Sequence, residues 1–324
     1  MKQLTVKLCA AVALASIAAF GAQAQEAKTI SIAYSVDVLD ETQNQALDAM
    51  KSRVEEINAS RKDVKVTLDV YDAQSSVDKQ ISDVQTALIK SPNVLILSAV
   101  DAAGSLPAAQ AAKDAGIPVI DRRPSDPEPD VYSVAFYAYD EVRYAEATTN
   151  WIKKYLDANP GKVLNVGLVY GAPAQTAQLR RADSVKELAK QQPDRIKIVT
   201  EGYGNWLTAT AQNLTQDWLL AHPDINLVVC ANDIMALGAS NALQSAGRTD
   251  VMVTGYDLTD DGVQRVSANT QTLTVGTVLK DSNQIIDVAV GLAENTFKDK
   301  TFYVNPVYAI DPSNVADFLS KTKN

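Results

Sequence analysis

Residues 92–116 and 223–247 are two versions of one segment, and a chain that carries the same strand-to-helix unit twice has few ways to fold. Pro92-Asn93 leads into VLILSAVDAAGSLPAAQAAKDAG and Pro223-Asp224 into INLVVCANDIMALGASNALQSAG, closing on Gly116 and Gly247, each 24 positions after its proline. The copies lie 131 residues apart, and each is followed by a strand-like run that stops on an aspartate: IPVID at Asp121 and DVMVTGYD at Asp257. Repetition on this scale marks two similar supersecondary assemblies in tandem.

The rest of the chain keeps the same rhythm. TISIAYS, VKVTLDVYD, VLNVGLVYG and IKIVTEGYG are short, rich in Val and Ile, and end in polar or glycine turns before a helical pattern resumes. Such runs are strands of a parallel sheet covered on both faces by helices, so the fold class is α/β. A length of 324 residues exceeds one ordinary core and predicts two lobes.

The first residues read MKQLTVKLCAAVALASIAAFGAQAQEA: Lys2 and Lys7, an uncharged apolar run, then the small-x-small site Ala22-Gln23-Ala24. This is the pattern of a cleaved signal peptide over 1–24, and it predicts an exported, periplasmic protein. Losing two lysines and no acids leaves 28 basic against 39 acidic residues, a net charge of −11. That balance argues against nucleic acid or an anionic membrane surface as a partner. Cys230 is then the only cysteine, so no internal disulfide can form, and its apolar surroundings make it a core residue.

Enzyme chemistry finds no support. His222 is the only histidine and sits at a helix end before Pro223; no zinc spacing, phosphate loop, GxSxG elbow or cofactor motif occurs. DLTDDG (257–262) lacks the ligand alternation of a calcium loop. What remains is a set of polar and aromatic residues at strand ends, where open parallel sheets bind ligands: Ser35, Asp121, Arg122, Arg180, Trp206, Asn232, Asp257 and Thr277. Fixed carboxylates, amides and guanidinia match the donors and acceptors of a polyhydroxylated molecule, and an indole covers the apolar face of a ring. For Asn232-Asp233, one cap suffices for the following helix. The expectation is that Asp233 caps and Asn232 points into the cleft.

LLAHPDINLVVCANDIMALGASNALQSAG, DVMVTGYDLTDDG and AAKDAGIPVID, with the order of all the strands, make the chain resemble the bacterial periplasmic sugar-binding proteins of the ribose- and galactose-binding type, which deliver ligand to ABC importers. The resemblance covers essentially the whole mature chain. It implies two similar Rossmann-like lobes with parallel sheets, joined by three hinge crossovers near Tyr139, Thr277-Val278 and Val307. The N-terminal lobe would comprise 28–138 plus 278–306, and the C-terminal lobe 139–277 plus 307–324. It implies Asn232 and Asp257 as hydroxyl partners, Trp206 as the stacking ring, and Arg180 or its neighbour Arg181 as an oxygen-binding arginine. The Asp121-Arg122 pair matches a strand-end pair of the family with a register that could slip to Arg123, and Thr277 stands where the ribose type has glutamine. The implied protein is a monomer working with an ABC permease, and a chemoreceptor or sensor kinase is an alternative partner.

One departure stands out. After the first strand the family places an asparagine and one or two aromatics, but SVDVLDETQNQ (35–45) contains no aromatic. Asp37, Thr42 or Gln43 must fill that wall with polar atoms. This favours a ligand other than ribose: a polyol, an amino sugar, a modified monosaccharide or a non-sugar small polar molecule. Against a sugar-responsive repressor, which would share the fold, stands a signal peptide where a DNA-binding helix pair would be.

Overall fold

Strands buried on both faces need apolar residues at nearly every position, and the central runs meet that demand: VLIL (94–97) and LVVC (227–230) are buried throughout. The computed structural model describes residues 27–124, 129–173 and 176–322; the expected signal peptide lies outside them. The first half alternates β1 (Lys28–Val36), α1 (Glu41–Ser60), β2 (Val64–Asp72), α2 (Val77–Ile89), β3 (Val94–Leu97), α3 (Leu106–Asp114), β4 (Val119–Asp121) and β5 (Val134–Tyr137). The second half repeats this with α4 (Glu141–Ala158), β6 (Leu164–Tyr170), α5 (Thr176–Gln191), β7 (Ile196–Tyr203), α6 (Thr208–Ala221), β8 (Leu227–Cys230), α7 (Asp233–Ser245), β9 (Met252–Tyr256), α8 (Asp260–Ser267) and β10 (Leu273–Gly276). A 3-10 turn (Leu279–Asn283) and α9 (Gln284–Ala293) follow, then β11 (Thr301–Tyr303), β12 (Tyr308–Ile310) and α10 (Val315–Thr322).

Two six-stranded sheets result, ordered β11-β5-β4-β3-β1-β2 and β12-β10-β9-β8-β6-β7. Their order is the same, counted from corresponding strands, and β12 alone runs antiparallel to its neighbour. The chain is α/β with two lobes of matching strand order. Each sheet reverses its winding between the first and third strands of its lobe, β1 and β3 in one and β6 and β8 in the other, and that is where such sheets open a crevice. The chain passes between the sheets three times: after β5, after β10, and between β11 and β12.

The internal repeat is not gapless in space. Residues 98–105 connect β3 to α3, whereas 231–232 suffice between β8 and α7. Asp101 therefore falls inside a longer loop and accepts from the N–H groups of Ala103 and Gly104 (3.1 and 2.6 Å). Gly238 lets α6 and α7 touch, since a Cβ there would lie 2.1 Å from the Thr208 carbonyl oxygen.

Candidate ligand cleft

The carboxyl ends of both sheets and the segments crossing between them enclose a cleft of about 1030 Å³. Of the expected residues it is lined by Asp37, Gln43, Arg180, Trp206, Asn232 and Asp257, together with Thr42, Arg123 and Arg181.

On the first lobe, Asp37 follows β1 directly. One of its carboxylate oxygens pairs with Arg123 Nη1 at 3.0 Å, while Oδ1 is buried without a hydrogen bond. Burial raises its pKa, against the pull of Arg123 and Arg122. Asp40 caps α1 by accepting from the Gln43 N–H (2.8 Å). Gln43 turns both ends of its amide inward: Oε1 accepts from Arg122 Nη1 at 2.6 Å and Nε2 donates to the Tyr139 hydroxyl at 3.4 Å.

Three expected residues on this side do not line the cleft. Arg122 is fully buried behind it, its guanidinium over the rings of Tyr34 and Tyr139, so Arg123 is the residue that reaches the wall. Asp121 is buried, and its Oδ1 accepts from the Arg123 N–H at 2.9 Å, fixing the turn after β4. Ser35 accepts from Gln80 Nε2 (3.2 Å), and Gln80 also holds Ser98 O, Val100 N and Ser105 Oγ. Ser35 thus belongs to a buried network that shapes the 98–105 loop.

On the second lobe, Asp257 has φ 92° and Leu258 φ 54°, a left-handed pair that breaks β9. Arg181 Nη1 donates to Asp257 Oδ1 at 2.8 Å and to Ala231 O at 2.6 Å, while its Nε and Nη2 grip Glu141 at 2.6 and 2.9 Å. Burial works against the Arg181 charge, but Glu141 and Asp257 outweigh it and hold its pKa well above the ordinary value. Arg181 is therefore a brace for Asp257, and Arg180 lies beside it on the wall. Trp206 also has a left-handed backbone (φ 62°), and its indole lies across Gly171: a Cβ there would meet the ring at 2.0 Å.

The cap expected of Asp233 falls to Asn232, the residue expected in the cleft. Asn232 is the α7 cap, its Oδ1 accepting from the Met235 N–H at 2.9 Å, and it lines the cleft as well. Asp233 is fully buried and accepts from Thr259 N and Oγ1, Gln271 Nε2 and Thr274 Oγ1 at 3.0, 3.1, 2.7 and 2.8 Å. The helix needs one cap, and the short β8–α7 connection puts Asn232 in that place. Thr277 is also displaced from its expected role. Its Oγ1 donates to Ala138 O at 3.0 Å and its N–H to the Tyr144 hydroxyl at 2.9 Å, tying two crossings together away from the cleft wall.

Sequence reasoning missed the lining residues Tyr137, Tyr139, Arg143 and Tyr303. Tyr137 and Tyr303 end the short strands β5 and β11, Tyr139 lies in the crossing after β5, and Arg143 is in the first turn of α4, so no long periodic run marks them; for the first three along the chain the clustered tyrosines of VAFYAYDEVRY were the available signal. Tyr139 supplies an aromatic that the 35–45 loop lacks. Among the described residues no His, Cys, Asp and Glu cluster is arranged to hold a metal ion, and no helix is long and apolar enough to cross a membrane.

A two-lobed α/β molecule with a polar cleft, lined also by tyrosines and a tryptophan, at the carboxyl ends of corresponding sheets is built to enclose a small solute. The chain belongs to the periplasmic binding protein family, whose domain model matches residues 32–301. It is 30% identical to a putative rhizopine-binding protein of Rhizobium meliloti over 79% of this chain and 83% of that one. It is 28% identical to a xylitol-binding protein of Mycolicibacterium smegmatis over 75% of this chain and 68% of that one. In fold it is similar to a Bacillus halodurans ABC transporter solute-binding protein solved with myo-inositol, with TM-score 0.81 and 24% identity over 91% of this chain and 99% of that one.

Proposed function

We propose that this protein is a periplasmic receptor that captures a monosaccharide or related polyol between its lobes and delivers it to an ABC import permease. The observation that carries the reading is the pairing, in one cleft, of held acceptors (Asp257, Asn232) and guanidinium donors (Arg123, Arg180) with the Trp206 indole. Charge-assisted bonds to hydroxyls, of roughly twice neutral strength, fix orientation, and the indole covers C–H surface. The binding residues of this reading are Asp37, Thr42, Gln43, Arg123, Arg180, Trp206, Asn232 and Asp257, without a catalytic step. A relative that binds xylitol stands beside relatives that import ribose, which supports the sugar-or-polyol class, while the aromatic-free 35–45 loop is what favours a ligand other than ribose.

In this reading the lobes are 28–138 plus 278–306 and 139–277 plus 307–324, a signal peptide over 1–24 directs export, and the receptor is a monomer. Ligand shifts the population toward the closed form, which the permease recognises. Thermal unfolding of protein stripped by unfolding and refolding, run against monosaccharides and sugar alcohols, tests it. A compound at 100 times its Kd adds about 2.7 kcal/mol of stability. A shift with one chemical group, lost in Asp257→Ala, supports the receptor; no shift with any of them contradicts it.

A further inference from the structure

The cleft wall has more negative charge than its cations neutralise. Among the described residues seven carboxylates line it against four arginines. Arg123 is paired with Asp37 and Arg143 with Asp140, while Arg181 is shared by Glu141 and Asp257, two carboxylates on one guanidinium. Behind the wall the buried Arg122 also acts on Asp37, and Asp121 adds a further buried carboxylate. Asp40 stands on the first lobe and Asp257 on the second. Burial raises the Asp40 carboxyl above its ordinary value, and the charges of Asp257 and Asp37 add to that rise, against the Gln43 amide and Arg123. Closing the lobes on a neutral ligand brings these like charges nearer each other, offset only by Arg123 and Arg181, which Asp37 and Glu141 already engage.

A second, independent observation lies at the same wall. Thr42 is 3% exposed, lines the cleft, and its Oγ1 has no hydrogen bond; Asp37 Oδ1, on a residue equally buried, has none either. Both atoms can accept. An ammonium brings three donors and no acceptor, where a hydroxyl brings one donor.

We infer that the solute is an amino polyol or amino sugar whose protonated amine sits between Asp37, Thr42 and Asp40 on the first lobe and Asp257 on the second. This rests on the polyol-receptor reading and narrows it. The amine turns the repulsion across the cleft into attraction to both sides, so it adds both affinity and a drive to close. The remaining hydroxyls are left to Arg123, Arg180 and Asn232.

Calorimetric titration with matched pairs decides the matter: D-glucosamine and D-glucose, glucamine and sorbitol, an amino-deoxy-inositol and myo-inositol. N-acetyl-D-glucosamine keeps the nitrogen without its charge. The amine of at least one pair is expected to bind about tenfold or more tighter than its neutral partner, as for an added charge-assisted bond. In Asp40→Asn that ratio is expected to fall to about threefold or less, and the α1 cap survives because Asn caps as well as Asp. A neutral member binding as tightly as its amine overturns the amine assignment and leaves the polyol receptor standing. Binding of no member overturns both. An amine preference unchanged in Asp40→Asn overturns the seat named here.

Discussion

At Asp257 the backbone turns left-handed, and the carboxylate enters the cleft with one oxygen already engaged by Arg181. The ordering cost of holding an acceptor there is met by the protein in advance, leaving the ligand to complete the site. Asp257→Ala should therefore weaken ligand binding by ~1–3 kcal/mol or more, about fivefold to 150-fold, because a hydroxyl would be left unpaired in a closed cavity. Arg181 keeps its two-pronged contact with Glu141, so titration should report a loss of binding while the secondary structure, read by circular dichroism, persists. This residue was legible in the sequence because a strand ending on aspartate occurs in both halves of the repeat. Arg122 against Arg123 was not: two adjacent arginines after a strand differ by which face of the turn they take, and Asp121 settles that by holding the Arg123 N–H.

Helix α7 shows how one element serves the fold and the site together. Asn232 both caps it and lines the cleft, so Asn232→Ala should lower unfolding free energy by about 1 kcal/mol through the lost cap alone. Asn232→Ser retains a capping oxygen and should recover most of that stability while still binding ligand more weakly; chemical denaturation beside titration separates the two. The next residue has a different task. Asp233 holds Thr259 and with it the start of α8, just after the strained Asp257–Leu258 turn. Burial raises its pKa to about 6, opposed by the Gln271 hydrogen bond and assisted by the Asp257 charge.

A folded pKa above the unfolded 3.8 means that the native state holds the proton between about pH 4 and 6 while the unfolded chain releases it. The stability Asp233 contributes is thus fully present below pH 4 and declines as pH rises through 6. Denaturant unfolding at a series of pH values should show that slope in the wild type and a flatter one in Asp233→Asn. The sequence displayed the helix and its two polar leading residues. It could not assign them, because the choice depends on a two-residue connection and on Gln271 and Thr274, which lie far along the chain.

The molecule as a whole is two copies of one sheet order joined at three crossings, and this much was readable from the repeat and the strand rhythm. The crossings were harder, since they carry no periodicity. Tyr139 of the first crossing nonetheless lines the cleft, with Tyr137 and Tyr303 at the strand ends beside it, and Thr277 ties Ala138 to Tyr144 where two crossings run side by side. Thr277→Val preserves shape but removes the hydroxyl bonds to Ala138 and Tyr144. Small-angle scattering should then show a larger radius of gyration for the unliganded protein, with affinity reduced a few-fold as the closing-competent population falls. An unchanged radius would make Thr277 a local packing residue only.

Fluorescence titration of the wild type and of Trp206→Phe with the solute that gives the largest thermal shift is the most direct test that this cleft captures it. Trp206 lines the cleft, whereas Trp218 is buried in the second lobe's core and Trp151 donates to Asp311 on the outside of that lobe. A saturable change in the wild type that disappears in Trp206→Phe is the predicted result. A change that persists undiminished in Trp206→Phe, or binding with no change in either protein, would contradict the account.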